Sequence, residues 1–155
     1  MKFSTQEDVE APIDFVFGEV SDFLAFERAA LRRGAEVQRV DTLQTPGIGA
    51  IWEAQFKFRG RKREARIEVT QLDRPNGLNC VFETQLLSGT LDVDLVALSR
   101  NRTRMSIEVA FSPRNLTARL LVQSLKLARS SLKKKFRFRV AHFAKDLDER
   151  HKRIA

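Results

Sequence analysis

Apolar and polar residues alternate along the middle of this chain, and each alternating stretch reads as a strand with one face on a core and the other in water. In residues 49–58, Ala50, Trp52, Ala54, Phe56 and Phe58 oppose Ile51, Glu53, Gln55 and Lys57. In 63–71, Ala65, Ile67 and Val69 oppose Glu64, Arg66 and Glu68. In 78–87, Cys80, Phe82, Thr84 and Leu86 oppose Asn79, Val81, Glu83 and Gln85. In 90–98, Leu91, Val93, Leu95 and Ala97 oppose Asp92, Asp94 and Val96. In 103–111, Met105, Ile107, Val109 and Phe111 oppose Arg104, Ser106, Glu108 and Ala110. The connections are short: Gly60, then Arg74-Pro75-Asn76-Gly77, Ser88-Gly89 and Arg100-Asn101-Arg102. Short turns make antiparallel neighbours.

The pattern changes at both ends. Residues 2–10 read as an edge strand and 35–41 as a short, weakly patterned one. Between them Pro12 stands where a helix begins at no cost, and Asp14 suits its first turn. Phe15, Phe17, Val20, Phe23, Leu24, Phe26 and Leu31 give an apolar face over two short helices. Ser21 or Asp22 caps the second, and Gly34 ends it. After Pro113 and Asn115 the period becomes helical. Leu121, Leu125, Ala128, Leu132, Phe136, Val140, Phe143 and Leu147 form one stripe. One helix over 115–149 would be about 50 Å long, against a domain diameter of roughly 40 Å. It must therefore bend, near Ser130-Ser131, or overhang the body.

The chain has 155 residues and is read as one domain, 1–155. Its net charge is +8. Residues 113–155 hold 13 Lys and Arg against 3 Asp and Glu, a local +10 that leaves −2 on residues 1–112. The excess thus sits on the last helix, where it attracts phosphate in anionic lipid, nucleic acid or an acidic partner. One cysteine excludes an internal disulfide and fits a reducing compartment, the cytoplasm. No apolar run approaches the ~20 residues of a membrane span, and the first ten residues hold no apolar signal core.

The order strand, helix pair, antiparallel strands and long C-terminal helix resembles the START/SRPBCC helix-grip superfamily, which includes polyketide cyclase/dehydrase-like proteins. The matching segments are Val9-Glu10-Ala11-Pro12-Ile13-Asp14-Phe15-Val16-Phe17, leading into Val20-Ser21-Asp22-Phe23, then Gly47-Ile48-Gly49-Ala50-Ile51-Trp52, and the turn Asp73-Arg74-Pro75-Asn76-Gly77-Leu78. The resemblance implies an α+β helix-grip (START-like) fold: a curved antiparallel β-sheet wrapped around a long C-terminal α-helix, with two short helices after strand 1. It further implies an apolar ligand, such as a lipid or polyketide, held between sheet and helix. Carried onto this chain, the walls are Trp52, Phe56, Phe82, Leu95, Met105 and Ile107 from the sheet. Leu125, Leu132 and Phe136 come from the helix. The same side chains would equally well fill a close-packed core.

Chemistry is sparse. A general acid or base must reach its substrate, yet the inward faces of these strands are apolar apart from Cys80 and Thr84, and the chain has no tyrosine. Glu83, Asp92, Asp94 and Glu108 share an outer face, where cross-strand pairing with Lys57, Arg66 and Arg104 competes with any cation. His142 and His151 lie nine apart and do not share a face at zinc-ligand spacing. No cofactor or metal is expected. Lys133, Lys134, Lys135, Arg137 and Arg139 alternate with Phe136 and Phe138, as in patches that bind anionic membranes or nucleic acid. A solvated helix face with snorkelling cations has the same pattern. Phe138 falls off the apolar stripe. The sequence reading is therefore non-catalytic carriage of an apolar small molecule or lipid. A cyclase- or dehydratase-like enzyme is the alternative, and a nucleic-acid or ribosome-associated module comes third.

Overall fold

The computed structural model describes residues 1–154. Its elements follow the order β1 (Lys2–Val9), α1 (Ile13–Val20), α2 (Phe23–Arg32), β2 (Glu36–Arg39), β3 (Ile51–Phe58), β4 (Arg61–Asp73), β5 (Gly77–Thr84), β6 (Leu87–Ser99), β7 (Arg102–Pro113), α3 (Leu116–Leu127) and α4 (Arg129–Ile154). Seven strands form one antiparallel curved sheet in the order β1-β7-β6-β5-β4-β3-β2. Only β1 departs from a simple meander: it crosses to pair with β7, Lys2 opposite Ala110 and Val9 opposite Thr103.

The caps explain where the helices start. Asp22 accepts a hydrogen bond from the Ala25 N–H at 3.1 Å, and Asn115 accepts one from the Ala118 N–H at 2.8 Å. Gly34 closes α2 at φ +91°, a conformation that favours glycine. The long loop between β2 and β3 is tied by Asp41, which accepts from the N–H groups of Leu43 and Ile51, each at 2.8 Å. The Ile51 N–H, with the Leu43 N–H and Arg39, holds its carboxyl below the usual range despite some desolvation.

Strand register sets the concave face. Trp52, Ile67, Phe82, Gly89 and Phe111 stand opposite one another in turn across β3 to β7. One row along, Val69, Cys80, Leu91, Val109 and Phe3 do the same. The core is packed at one end of this face. There Val9, Val69, Leu78, Leu95 and Met105 meet Val16, Phe17 and Val20 of α1 and Val140, Ala144 and Leu147 of α4, all buried. Towards the other end burial fades: Phe56, Ala65 and Phe82 are half-buried and Ile67 is exposed.

The C-terminal helix is not one rod. It breaks at Ala128 (φ −98°, ψ 13°), whose N–H turns back to the Leu125 carbonyl at 3.1 Å. Ala128, on the inner stripe by sequence, is exposed. Neither proline nor glycine causes the break. The two helices pack on different parts of a curved sheet, α3 against β7 and α4 against β1 and α1, and one straight axis cannot follow both. α4 alone spans about 39 Å and continues five residues past the expected end.

Candidate functional site

α2 is the unusual element. Its sequence has a strong apolar face, yet none of its residues is fully buried. Leu24, Phe26 and Leu31 are exposed. The helix stands off from α4 and bounds an open groove of about 1710 Å³ together with β2, β3 and the middle of α4. That exceeds the ~300–1,000 Å³ of ordinary small-molecule sites. Phe26, Phe56, Phe138 and Phe143 supply aromatic wall, and Phe26 and Phe143 bridge the helices with ring centroids 6.1 Å apart. Phe138, off the core stripe by sequence, is 72% exposed here.

The rim is basic. Arg32, Arg33, Lys57, Lys62, Lys134, Lys135, Arg139 and Arg150 line the groove against only Glu19, Glu36 and Asp146. Two of the acids have partners: Arg150 donates to Glu19 at 2.8 Å, and Asp146 lies 3.5 Å from His142 Nδ1. The cationic segment singled out from the sequence is therefore divided. Lys134, Lys135 and Arg139 face the groove, whereas Lys133 and Arg137 are not among its walls.

The expected apolar walls are also divided. Trp52, Leu95 and Met105 lie in the packed core, with Ile107 half-buried against it. Phe56 lines the large groove. Phe82 lines a second opening of about 860 Å³ that includes Met1, Gly89, Phe111 and Arg129. Gly89 is needed there, because a Cβ would lie 2.4 Å from the Phe82 ring and 2.3 Å from the Ala110 carbonyl oxygen. Leu125 and Leu132 are half-buried, and Phe136 packs on Phe3 with centroids 6.2 Å apart.

Two ionisable groups lie where alternation alone did not put them. Arg63 pairs with Phe56 and shares the inward side with Ala65. It is half-buried, and its Nε is buried without a hydrogen-bond partner among the described residues. A desolvated, unpaired donor of this kind is costly. Extending the 63–71 pattern back to its first residue would have found it. Glu27 of α2 accepts a hydrogen bond from the Trp52 indole N–H at 3.2 Å, and Trp52 packs against Phe23 with ring centroids 5.5 Å apart and planes tilted by 50°. Glu27 follows Phe23 by four residues and so shares its helix face.

The outer carboxylates make no metal cluster among the described residues. Glu83 pairs with Arg114 at 3.1 Å and Glu108 with Lys2 at 3.3 Å, while Asp92 accepts from Asn79. Of the cations expected to pair with them, Arg104 instead binds Asp8 at 2.9 Å and Arg66 reaches Glu53 at 3.8 Å. Cys80 is buried and free. Burial pushes its thiol up to about 11, and the nearby Asp92 carboxylate adds to the shift. Since the thiolate is the nucleophile, Cys80 is expected to resist iodoacetamide at neutral pH in the folded protein and to react once urea exposes it. Alkylation at equal rates in both states would contradict a buried thiol.

No family model matches the chain, and no curated protein matches it in sequence. Solved structures do. Zhui aromatase/cyclase from Streptomyces sp. R1128 superposes with a TM-score of 0.65 at 15% identity, covering 100% of this chain and 96% of that one. A conserved protein from Geobacillus kaustophilus gives 0.60 at 16% identity, covering 96% of each. A START superfamily protein from Mycobacterium smegmatis gives 0.56 at 12% identity, covering 86% of this chain and 95% of that one.

Proposed function

On the premise of a START/SRPBCC helix-grip fold, we propose that this protein binds and carries an amphiphile, a lipid or similar apolar molecule with an anionic end, in the groove between α2 and α4. The observation that carries this reading is the groove itself: an aromatic wall left uncovered, under a rim with eight basic and three acidic side chains. An apolar body laid on Phe26, Phe56, Phe138 and Phe143 would gain about 25 cal/mol per Å² removed from water. A carboxylate or phosphate at its end would meet Lys134, Lys135 and Arg139. The half-uncovered α2 fits a lid that completes its packing on a ligand.

Native mass spectrometry of the purified protein, followed by organic extraction, tests the proposal. A stoichiometric adduct is expected that extracts as an acidic lipid or a comparable amphiphile. A chain that stays bare after incubation with oleate and with phosphatidylglycerol would sink the reading.

A cyclase-like reaction is the second reading, and Glu27 is the observation in its favour. It is a carboxylate held at the Trp52 indole beneath α2, a place where a general base would act. Turnover of an added poly-β-keto thioester would separate the two readings.

A further inference from the structure

α3 is apolar on two opposite faces. Ala118 and Val122 are buried, with Leu121 and Leu125 half-buried beside them, on the face packed against β7 and α4. At 100° per residue, Leu116, Leu120 and Leu127 fall within about 40° of one another on the far side. They are 76%, 71% and 92% exposed. Exposed leucines on a protein surface usually lie singly, whereas these make a ridge about 16 Å long, interrupted by exposed Gln123 between Leu120 and Leu127. Arg119 and Lys126 border it on one side, Thr117 and Ser124 on the other. The charge along this part of the chain is one-sided as well: residues 109–145 contain ten Lys and Arg and no Asp or Glu, with Arg114 alone of the ten in an ion pair among the described residues, to Glu83.

We propose that α3 docks the protein on an anionic lipid bilayer. The helix lies flat in the interface, with Leu116, Leu120 and Leu127 below the headgroups and Arg119 and Lys126 at the phosphates. An apolar ridge with a Lys/Arg border is what an interfacial helix requires, and among the described residues no helix is long and apolar enough to cross a membrane. Other occupants fit less well. A second copy would bring two acid-free cationic segments together. It would also find only about 400 Å² of exposed leucine, half the ~800 Å² per partner of a stable interface. Nucleic acid would use the cations but leave the leucines in water. The ridge contributes no wall to the large groove, so this inference stands apart from the ligand.

Co-sedimentation with phosphatidylcholine vesicles, with and without phosphatidylglycerol, tests the docking. Binding is expected only to the anionic vesicles. Leu120→Gln with Leu127→Gln should weaken it by at least roughly tenfold without moving the melting temperature, since both side chains are already in water. Arg119→Gln and Lys126→Gln should each cost about fivefold. Vesicle binding untouched by the leucine changes would overturn the proposal, because charge alone would then explain it. So would a dimer in sedimentation velocity that the leucine changes dissociate. Single-stranded RNA binding in place of vesicle binding would overturn it too.

Discussion

Replacing Lys134, Lys135 and Arg139 together by glutamine is expected to cut affinity for oleate by about two orders of magnitude while leaving oleyl alcohol nearly unaffected. The three side chains come from one side of the groove and face it across Phe138. Each is exposed, so each contact with a carboxylate contributes at most about 1 kcal/mol. Three such losses sum to roughly 3 kcal/mol, or about two decades in Kd. The alcohol keeps the aromatic wall and never used the charge. Fluorescence displacement or native mass spectrometry reads both ligands on one sample. Equal loss for acid and alcohol would mean that the groove had been damaged rather than discharged. No loss for either would place the ligand elsewhere, with the second opening at Phe82, Gly89 and Phe111 the next site to test.

Phe17→Ala is expected to produce the largest loss of stability in the chain, about 3–5 kcal/mol. Phe17 lies on α1, wholly buried, in the closed half of the grip where α1 meets the sheet and α4. The Arg74 guanidinium carbon lies 4.7 Å from its ring centroid, adding a cation–π contact. Truncation leaves a cavity that a close-packed core cannot refill. At about 2–4 °C per kcal/mol for a chain of this size, the melting temperature should fall by roughly 10 °C. Phe138→Ala is the internal control: with its ring mostly in water, it should change the melting temperature very little. A Phe17→Ala protein that melts within a degree or two of the parent would show that α1 is not part of the core.

Much of the site could be read from single residues, and the misses have physical causes. Phe138 was marked by falling off the helical stripe, and it does line the groove. Arg63 was overlooked because it begins its strand segment, where alternation has only one neighbour to be judged against. Glu27 was hidden because a carboxylate on an amphipathic helix looks solvated until a tryptophan from another strand is brought to it. The ridge of Leu116, Leu120 and Leu127 was overshadowed by the inner stripe, which accounted for α3 without it. The basic run at 133–139 looked like one patch. Helical rotation sends Lys134, Lys135 and Arg139 to the groove and Lys133 and Arg137 elsewhere.

What the sequence determined by itself was local. The period-two stretches from 49 to 112, their short turns, the Asp22 and Asn115 caps and the glycine stop at Gly34 depend on backbone geometry and on each residue's neighbours. The elements therefore appear at or near their expected positions, in a START-like order. The tertiary structure decided where apolar surface remained uncovered. A stripe at helical spacing runs unbroken through Ala128, yet the helix breaks there because α3 and α4 answer to different strands of a curved sheet. The apolar face of α2 is no weaker than that of α1, yet α1 is sealed into the core and α2 is left half open. Burial depends on which surface arrives opposite, over separations of more than a hundred residues, as between α1 and α4. No local pattern carries that information, and here it is what separates a filled core from an open groove.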